Sequence, residues 1–170
     1  MSSSANDMLL QASRRYGQRL YWYIRSLVVS HDDAEDALQE TLIKIFTKAD
    51  SLKGGEAVLE TWCFKIATKE ALMLLRKRRH VFQSIDSLSG ELSEILITES
   101  APDADNSELL FQQAILRLST QQRIVFNLRY YDELSYTQIA AITGKNENTL
   151  RANYHFAEKK IREYLKEHAI

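Results

Sequence analysis

Leu134-Ser135-Tyr136-Thr137-Gln138-Ile139-Ala140-Ala141-Ile142-Thr143-Gly144-Lys145-Asn146-Glu147-Asn148-Thr149-Leu150 is the stretch on which the fold turns. Ser135 and Gln138 are spaced so that the hydroxyl takes an orphan amide of a helix's first turn while the Gln side chain returns a bond to the cap. Gly144 ends that helix after about two and a half turns, because it enters the left-handed conformation without a Cβ clash. Asn146 can then cap a second helix at once. Ile139, Ala140, Ile142 and Leu150 face the corner between them, with Ala140 small where the helices approach. This is the construction of a helix-turn-helix, whose second helix enters a DNA major groove. A plain helical hairpin uses the same caps and glycine, so the stretch alone leaves both readings open.

Outward from it, Ser119 and Gln122 repeat the capping box ahead of an apolar helical run to Tyr131, with a break at Asp132 and Glu133. In the helix after Asn146, steps of four and three turn Leu150, Tyr154, Ala157, Ile161 and Leu165 inward. Asn148, Arg151, Ala152, His155, Phe156 and Lys159 face away. Arg151 can pair with a guanine edge, and Ala152 and Phe156 can touch thymine methyls. Phe156 suits contact with an inhibitory partner equally well.

Composition bounds the rest. The chain of 170 residues is 45% hydrophobic with five Gly and one Pro, which predicts an all-α fold of one helical domain or two small ones. Cys63 stands alone in an apolar helical pattern and reads as a buried thiol, and His31, His80, His155 and His168 show no zinc spacing. No cofactor is expected. No apolar run nears the roughly 20 residues of a membrane helix, and the polar N-terminus is no signal peptide, so a cytosolic chain is expected.

Toward the N-terminus, Asn6 to Val29 carries Leu9, Ser13, Tyr16, Leu20, Ile24 and Leu27 at helical spacing. Tyr21, Trp22 and Tyr23 add more aromatic surface than one stripe needs, which reads first as a broad core face and second as an exposed partner surface, and Arg14, Arg15, Arg19 and Arg25 read as a solvated face. Ser30 caps a second helix with Asp32, Asp33, Glu35 and Asp36 at its positive end. Ala34, Leu38, Thr41, Leu42 and Ile45 form its buried stripe. That leaves Asp36, Gln39, Glu40 and Ile43 as either a solvated face or a docking surface. After the break at Lys53, Gly54 and Gly55, a helix from about Ala57 to Arg79 has Trp62, Ile66, Leu72 and Leu75 near its core side. It ends in Arg76, Lys77, Arg78, Arg79 and His80, a favourable dipole ending that also suits a nucleic-acid track. Net charge is +3 over 1–80, −6 over 81–118 and +2 over 119–170, for −1 in all. The middle stretch gathers Ser, Gly and the only Pro, so 81–106 reads as an acidic flexible linker between a module at 1–80 and another at 107–170. About 25 such residues reach roughly 80 Å, enough to serve two separated DNA elements.

Asp33-Ala34-Glu35-Asp36-Ala37-Leu38-Gln39-Glu40-Thr41, Phe46, Thr61-Trp62, Ile66-Ala67 and the basic terminus together resemble region two of bacterial sigma factors of the extracytoplasmic-function (ECF) group. Gln121-Gln122-Arg123-Ile124-Val125-Phe126-Asn127-Leu128-Arg129, Leu134-Ser135-Tyr136, Ile139-Ala140, Thr149-Leu150, His155 and Ala157 resemble region four. The resemblance implies a promoter-specificity subunit, with no catalytic residues of its own, whose partners are core RNA polymerase, promoter DNA and an anti-sigma factor. It implies polymerase docking through Asp36, Gln39, Glu40 and Ile43. Downstream, melted DNA would fall to Lys53, Trp62, Lys65, Lys69, Arg76, Lys77, Arg78 and Arg79, where Trp62 either receives an extruded base or packs in the core. Upstream duplex DNA would fall to Tyr136, Asn148, Thr149, Arg151, Ala152, His155, Phe156 and Lys159. The sequence departs from the family where Lys69 replaces a usual Asn, Met73 a usual Asp, Asn153 and Phe156 frequent Arg, and Lys145 an apolar turn residue. A stand-alone helix-turn-helix regulator is the alternative. It explains the C-terminal half but not the acidic capped helix and the basic terminus together. A net charge of −1 also leaves little phosphate affinity for a protein working by itself.

Overall fold

The computed structural model describes residues 3–51, 54–81, 85–103 and 105–168. Three helices, α1 (Ser3–Val28), α2 (His31–Lys48) and α3 (Glu56–Val81), build the N-terminal module. Tyr16, Leu20, Ile24 and Leu27 of α1 are buried against Ala34, Ala37 and Ile45 of α2 and Cys63, Phe64 and Ala67 of α3. The turn from α1 to α2 places Val29 at φ 70°, a conformation a β-branched residue adopts only when its surroundings hold it. Those surroundings are on either side: Val29 is buried, and Ser30 accepts the amide of Asp33 as the cap of α2. Burial pushes the Cys63 thiol up to about 12, which fits an inert core residue.

The C-terminal module follows the local signals closely. α5 (Asn106–Leu116) leads into α6 (Thr120–Tyr130), α7 (Tyr136–Thr143) and α8 (Glu147–His168). Both capping boxes form, at Ser119 with Gln122 and at Ser135 with Gln138. Gly144 closes α7 at φ 74°, and Asn146 Oδ1 accepts the amide of Thr149 at 2.8 Å to start α8. The break after α6 uses Glu133 at φ 54° where glycine is commoner. No described helix is long and apolar enough to cross a membrane.

Four expectations need correction. The segment expected to be a flexible linker carries α4 (Ile85–Glu99). Its Leu92 is 1% exposed, with Ile95 and Leu96 packed beside it, a short helical stripe hidden in an acidic composition. The acids themselves find cations on the N-terminal module: Glu91 pairs with Arg78 at 3.4 Å and Glu99 with Arg25 at 3.7 Å. Trp22, expected first in the core and second on an exposed surface, is 55% exposed, although Tyr23 next to it is buried. Arg19 and Arg25, expected on a solvated face with Arg14 and Arg15, are engaged in ion pairs. Ser13, counted in the apolar stripe of α1, is exposed.

The two modules share one core. Ile124, Val125 and Leu128 of α6 and Ile139 and Ile142 of α7 belong to the same buried cluster as α1 and α3. Phe126, Ala157 and Ile161 form a second, smaller cluster that fixes α8 to α5 and α6.

Candidate nucleic-acid interface

α8 is held by its apolar stripe and aromatic rings. Leu150, Ala157 and Ile161 are buried, and Phe126 lies between Tyr130 and Tyr154 with ring centroids 5.1 and 5.7 Å away. Lys160 adds a 2.9 Å bond to Gln122 of the α6 capping box. With that face fixed, Asn148, Thr149, Arg151, Ala152, His155, Phe156 and Lys159 are all exposed. The face expected to meet upstream DNA is therefore one surface. Tyr136, at the start of α7, is flanked by two guanidinium groups, Arg129 at 4.8 Å and Arg151 at 5.0 Å from its ring centre. Arg151 also reaches Glu147 at 3.4 Å, so its guanidinium is held on two sides while remaining exposed.

The downstream candidates on α3 are less uniform. Lys65, Lys69, Arg76 and Lys77 are exposed. Trp62 is half-buried and packs against the core, so its indole is fixed on one side. Arg78 is committed elsewhere: its Nε donates to Asp33 at 2.7 Å and its other nitrogens reach Asp33 and Glu91. Asp33 sits in the first turn of α2, so Arg78 ties the C-terminal end of α3 to the start of α2. Lys53 lies outside the described residues, as does the side chain of Arg79.

On α2, Asp36, Gln39, Glu40 and Ile43 are exposed together, with Ile43 at 53%. Beside them Leu10, Ser13, Leu42, Ile43 and Phe46 line a shallow depression of about 340 Å3. An apolar depression bordered by carboxylates fits a partner that brings apolar and basic groups together.

A set of polar contacts between the modules escaped the sequence reading. Arg19 of α1 donates to Glu60 of α3 at 2.8 Å and reaches Asp132, after α6, at 3.4 Å. Burial works against the charge of Arg19, but its bonds to Glu60 and Asp132 outweigh that and raise its pKa. Gln138, while closing its own capping box, also donates to Glu60 at 2.9 Å. Arg123 of α6 is 4% exposed and donates to the Leu27 carbonyl at 3.2 Å, where the last turn of α1 favours a cation. Burial brings the Arg123 pKa down to about 10, which leaves it charged near neutrality. Burial lifts Asp132 to about 6 against the pull of Arg19. The only local hint was the polar break at Asp132 and Glu133. Arg19 lies 113 residues from Asp132, and nothing in either neighbourhood signals the other.

Residues 13–81 match sigma-70 region 2, and residues 108–161 match sigma-70 region 4. The chain is 26% identical over 155 residues to the RNA polymerase sigma factor SigV of Bacillus subtilis, covering 91% of this chain and 89% of that one. It is 28% identical over 171 aligned positions to the ECF RNA polymerase sigma factor SigL of Mycobacterium tuberculosis, covering 98% and 94%. Among solved structures it is similar to the sigma factor RpoE from Bartonella quintana, crystallised with the anti-sigma factor NepR. The TM-score is 0.72 at 29% identity, covering 92% of this chain and 95% of that one.

Proposed function

The chain belongs to the extracytoplasmic-function group of sigma-70 factors, and on that premise we propose that it binds core RNA polymerase, carries it to specific promoters and begins DNA opening there. The observation that carries this reading is the pair of exposed faces, one on α2 and one on α8, in a chain with region 2 and region 4 in order. Asp36, Gln39, Glu40 and Ile43 dock the polymerase. Lys65, Lys69, Arg76 and Lys77 follow the melted downstream strand, with Trp62 at its edge and Lys53, Arg78 and Arg79 completing the basic track. Arg78 joins only by exchanging Asp33 for phosphate. Tyr136, Asn148, Thr149, Arg151, Ala152, His155, Phe156 and Lys159 read the upstream element as duplex. Residues 1–80 and 107–170 act as the two reading modules, and 81–106 connects them.

The protein contributes no catalytic group. RNA synthesis belongs to the polymerase, and the sigma subunit supplies selection and strand opening. Extruding a base costs a few kcal/mol of stacking, offset by cations and an aromatic surface. The site of action is the cytoplasm, where polymerase and promoter meet. An anti-sigma factor is a natural partner, supported by the relative crystallised with one. A stand-alone regulator is not favoured, because it leaves the region 2 match without a purpose.

The test is a pull-down with core polymerase followed by run-off transcription on a genomic library. Capture of polymerase and discrete start sites are expected. Specific duplex binding in the absence of polymerase, with no capture, would instead identify a stand-alone regulator.

A further inference from the structure

Arg129, in the last turn of α6, belongs to none of the faces assigned so far, yet it is tied to one of them. Its Nη1 donates to the Leu134 carbonyl at 3.0 Å, and the Leu134 amide donates to the Leu128 carbonyl at 3.1 Å. Leu134 itself is buried. Both backbone groups of this one residue are therefore fastened to the end of α6, just before Ser135 caps α7. Tyr136 follows as the first residue of α7 and packs against the main core, so α6 determines where its ring stands.

That ring has Arg129 at 4.8 Å from its centre and Arg151, on α8, at 5.0 Å. Two cations beside one ring repel each other, and the same π-cloud draws both. The other neighbour of Arg151 is Glu147, in a pair whose side chains are 54% and 44% exposed, and an ion pair so open to water holds a long side chain weakly. The ring is the firm side of the Arg151 surroundings. A cation in the last turn of α6 also suits the carbonyl end of that helix, which accounts for a charge at position 129. A lysine would meet that need equally, and it would leave the contact with the ring without a purpose.

We propose that Arg129 is a positioning residue for upstream recognition: through the Tyr136 ring it holds the Arg151 guanidinium in the orientation that reads a base pair. This rests on the reading of α8 as the helix that meets upstream duplex. Arg151 lies near the start of α8, the part of a recognition helix that meets base edges. A bidentate bond to a guanine needs the guanidinium plane aligned with the base edge, and a free arginine gives up much rotamer freedom to reach that alignment. One that is already confined loses less on binding. Attraction to phosphate needs no such alignment, so the stack acts on discrimination between sequences rather than on overall affinity.

The test uses the holoenzyme formed by the full chain with core polymerase, on a promoter recovered by run-off transcription and its single substitutions at each upstream base pair. Arg151→Ala first identifies the pair that Arg151 reads. Tyr136→Leu removes the ring, and Arg129→Lys keeps the charge without the planar group. Each should lose about fivefold in discrimination at that same pair, with the other pairs little changed. Neither should lose more when combined with Arg151→Ala. Tyr136→Phe, which keeps the ring, should keep the discrimination. In the free chain, 15N relaxation of the Arg151 Nε–H should report a more mobile guanidinium in both loss variants. If Tyr136→Leu fails to fold, Arg129→Lys and Tyr136→Phe still decide. An equal loss at every pair would make the stack a scaffold contact only, and unchanged discrimination would mean that Glu147 or the DNA places Arg151. Discrimination that rises would mean that the ring restrains Arg151. Each of these three overturns the proposal. If Arg151→Ala alters no single pair, the reading of α8 fails first and takes the proposal with it, a pattern that none of the other outcomes produces.

Discussion

The two faces assigned to DNA differ in how much of their chemistry is already spent. On α8 the outward side chains are exposed, and Arg151 is steadied by Tyr136 and Glu147 without being covered. On α3 the charges are partly committed: Arg78 is bound to Asp33 and Glu91, and Glu60, near the helix start, is held by Arg19 and Gln138. One face is presented and the other is restrained. A restrained face has to give up internal bonds before it takes external ones, so its affinity is reduced by the fraction of molecules that are open.

The largest effect should come from loosening the restraint at α4. Leu92→Ala removes a side chain that is 1% exposed and should cost roughly 3 kcal/mol of stability. Hydrogen exchange should show α4 losing protection first while α8 keeps its own. Equal loss in both would mean that the two faces are not restrained differently.

Next in size is a pH effect at Asp132, which faces Arg19, Glu60 and the Tyr23 hydroxyl. Its folded pKa of about 6 lies above the ordinary 3.8, so between those values the folded chain keeps a proton that the unfolded chain has lost. This contribution is full below about pH 4 and is lost as pH rises through about 6. Wild type should therefore lose on the order of 2 kcal/mol relative to Asp132→Asn across that window. Urea titrations of both proteins at several pH values measure it, and parallel curves would remove Asp132 from the account.

Arg151→Ala probes the presented face. If the guanidinium reads a base, about 1–3 kcal/mol of discrimination should vanish at one upstream base pair, with opening of a pre-melted downstream template unchanged. Uniform weakening across sequences would reduce Arg151 to a phosphate contact. A shift at the downstream element would break the comparison itself.

The smallest stability change is expected from reversing Asp36 and Glu40 together to Lys. Both are exposed, so thermal unfolding should move by no more than about 0.5 kcal/mol while capture of core polymerase falls sharply. Unchanged capture would remove the docking assignment.

The same contrast explains what could be read from the chain. The helix-turn-helix was legible because its signals are local: Ser135 caps with Gln138 three residues on, Gly144 takes its turn alone, and Asn146 caps with Thr149. The exposed quartet on α2 followed from a helical period and one cap. α4 was not legible, because two of its acids, Glu91 and Glu99, pair with Arg78 and Arg25 on helices that earlier sequence had already built. Trp22 and Tyr23 are adjacent and equally aromatic, and only the packing of α1 sends one out and the other in.

α4 also sets a length. Its 15 residues span about 22 Å as a helix and at most roughly 50 Å fully extended, so unfolding it adds up to about 28 Å of maximum reach. A helix this short is marginal once it leaves its neighbours. Leu92, Glu91 and Glu99 are therefore the catches on a spool. Together with the shared core and the bonds of Arg19, Gln138 and Arg123, they hold the two modules close. Once the shared core also parts, release of α4 lengthens the chain available toward the roughly 70 Å of two DNA turns, so on the proposed reading of two separated elements a helix–coil equilibrium helps to set the spacing.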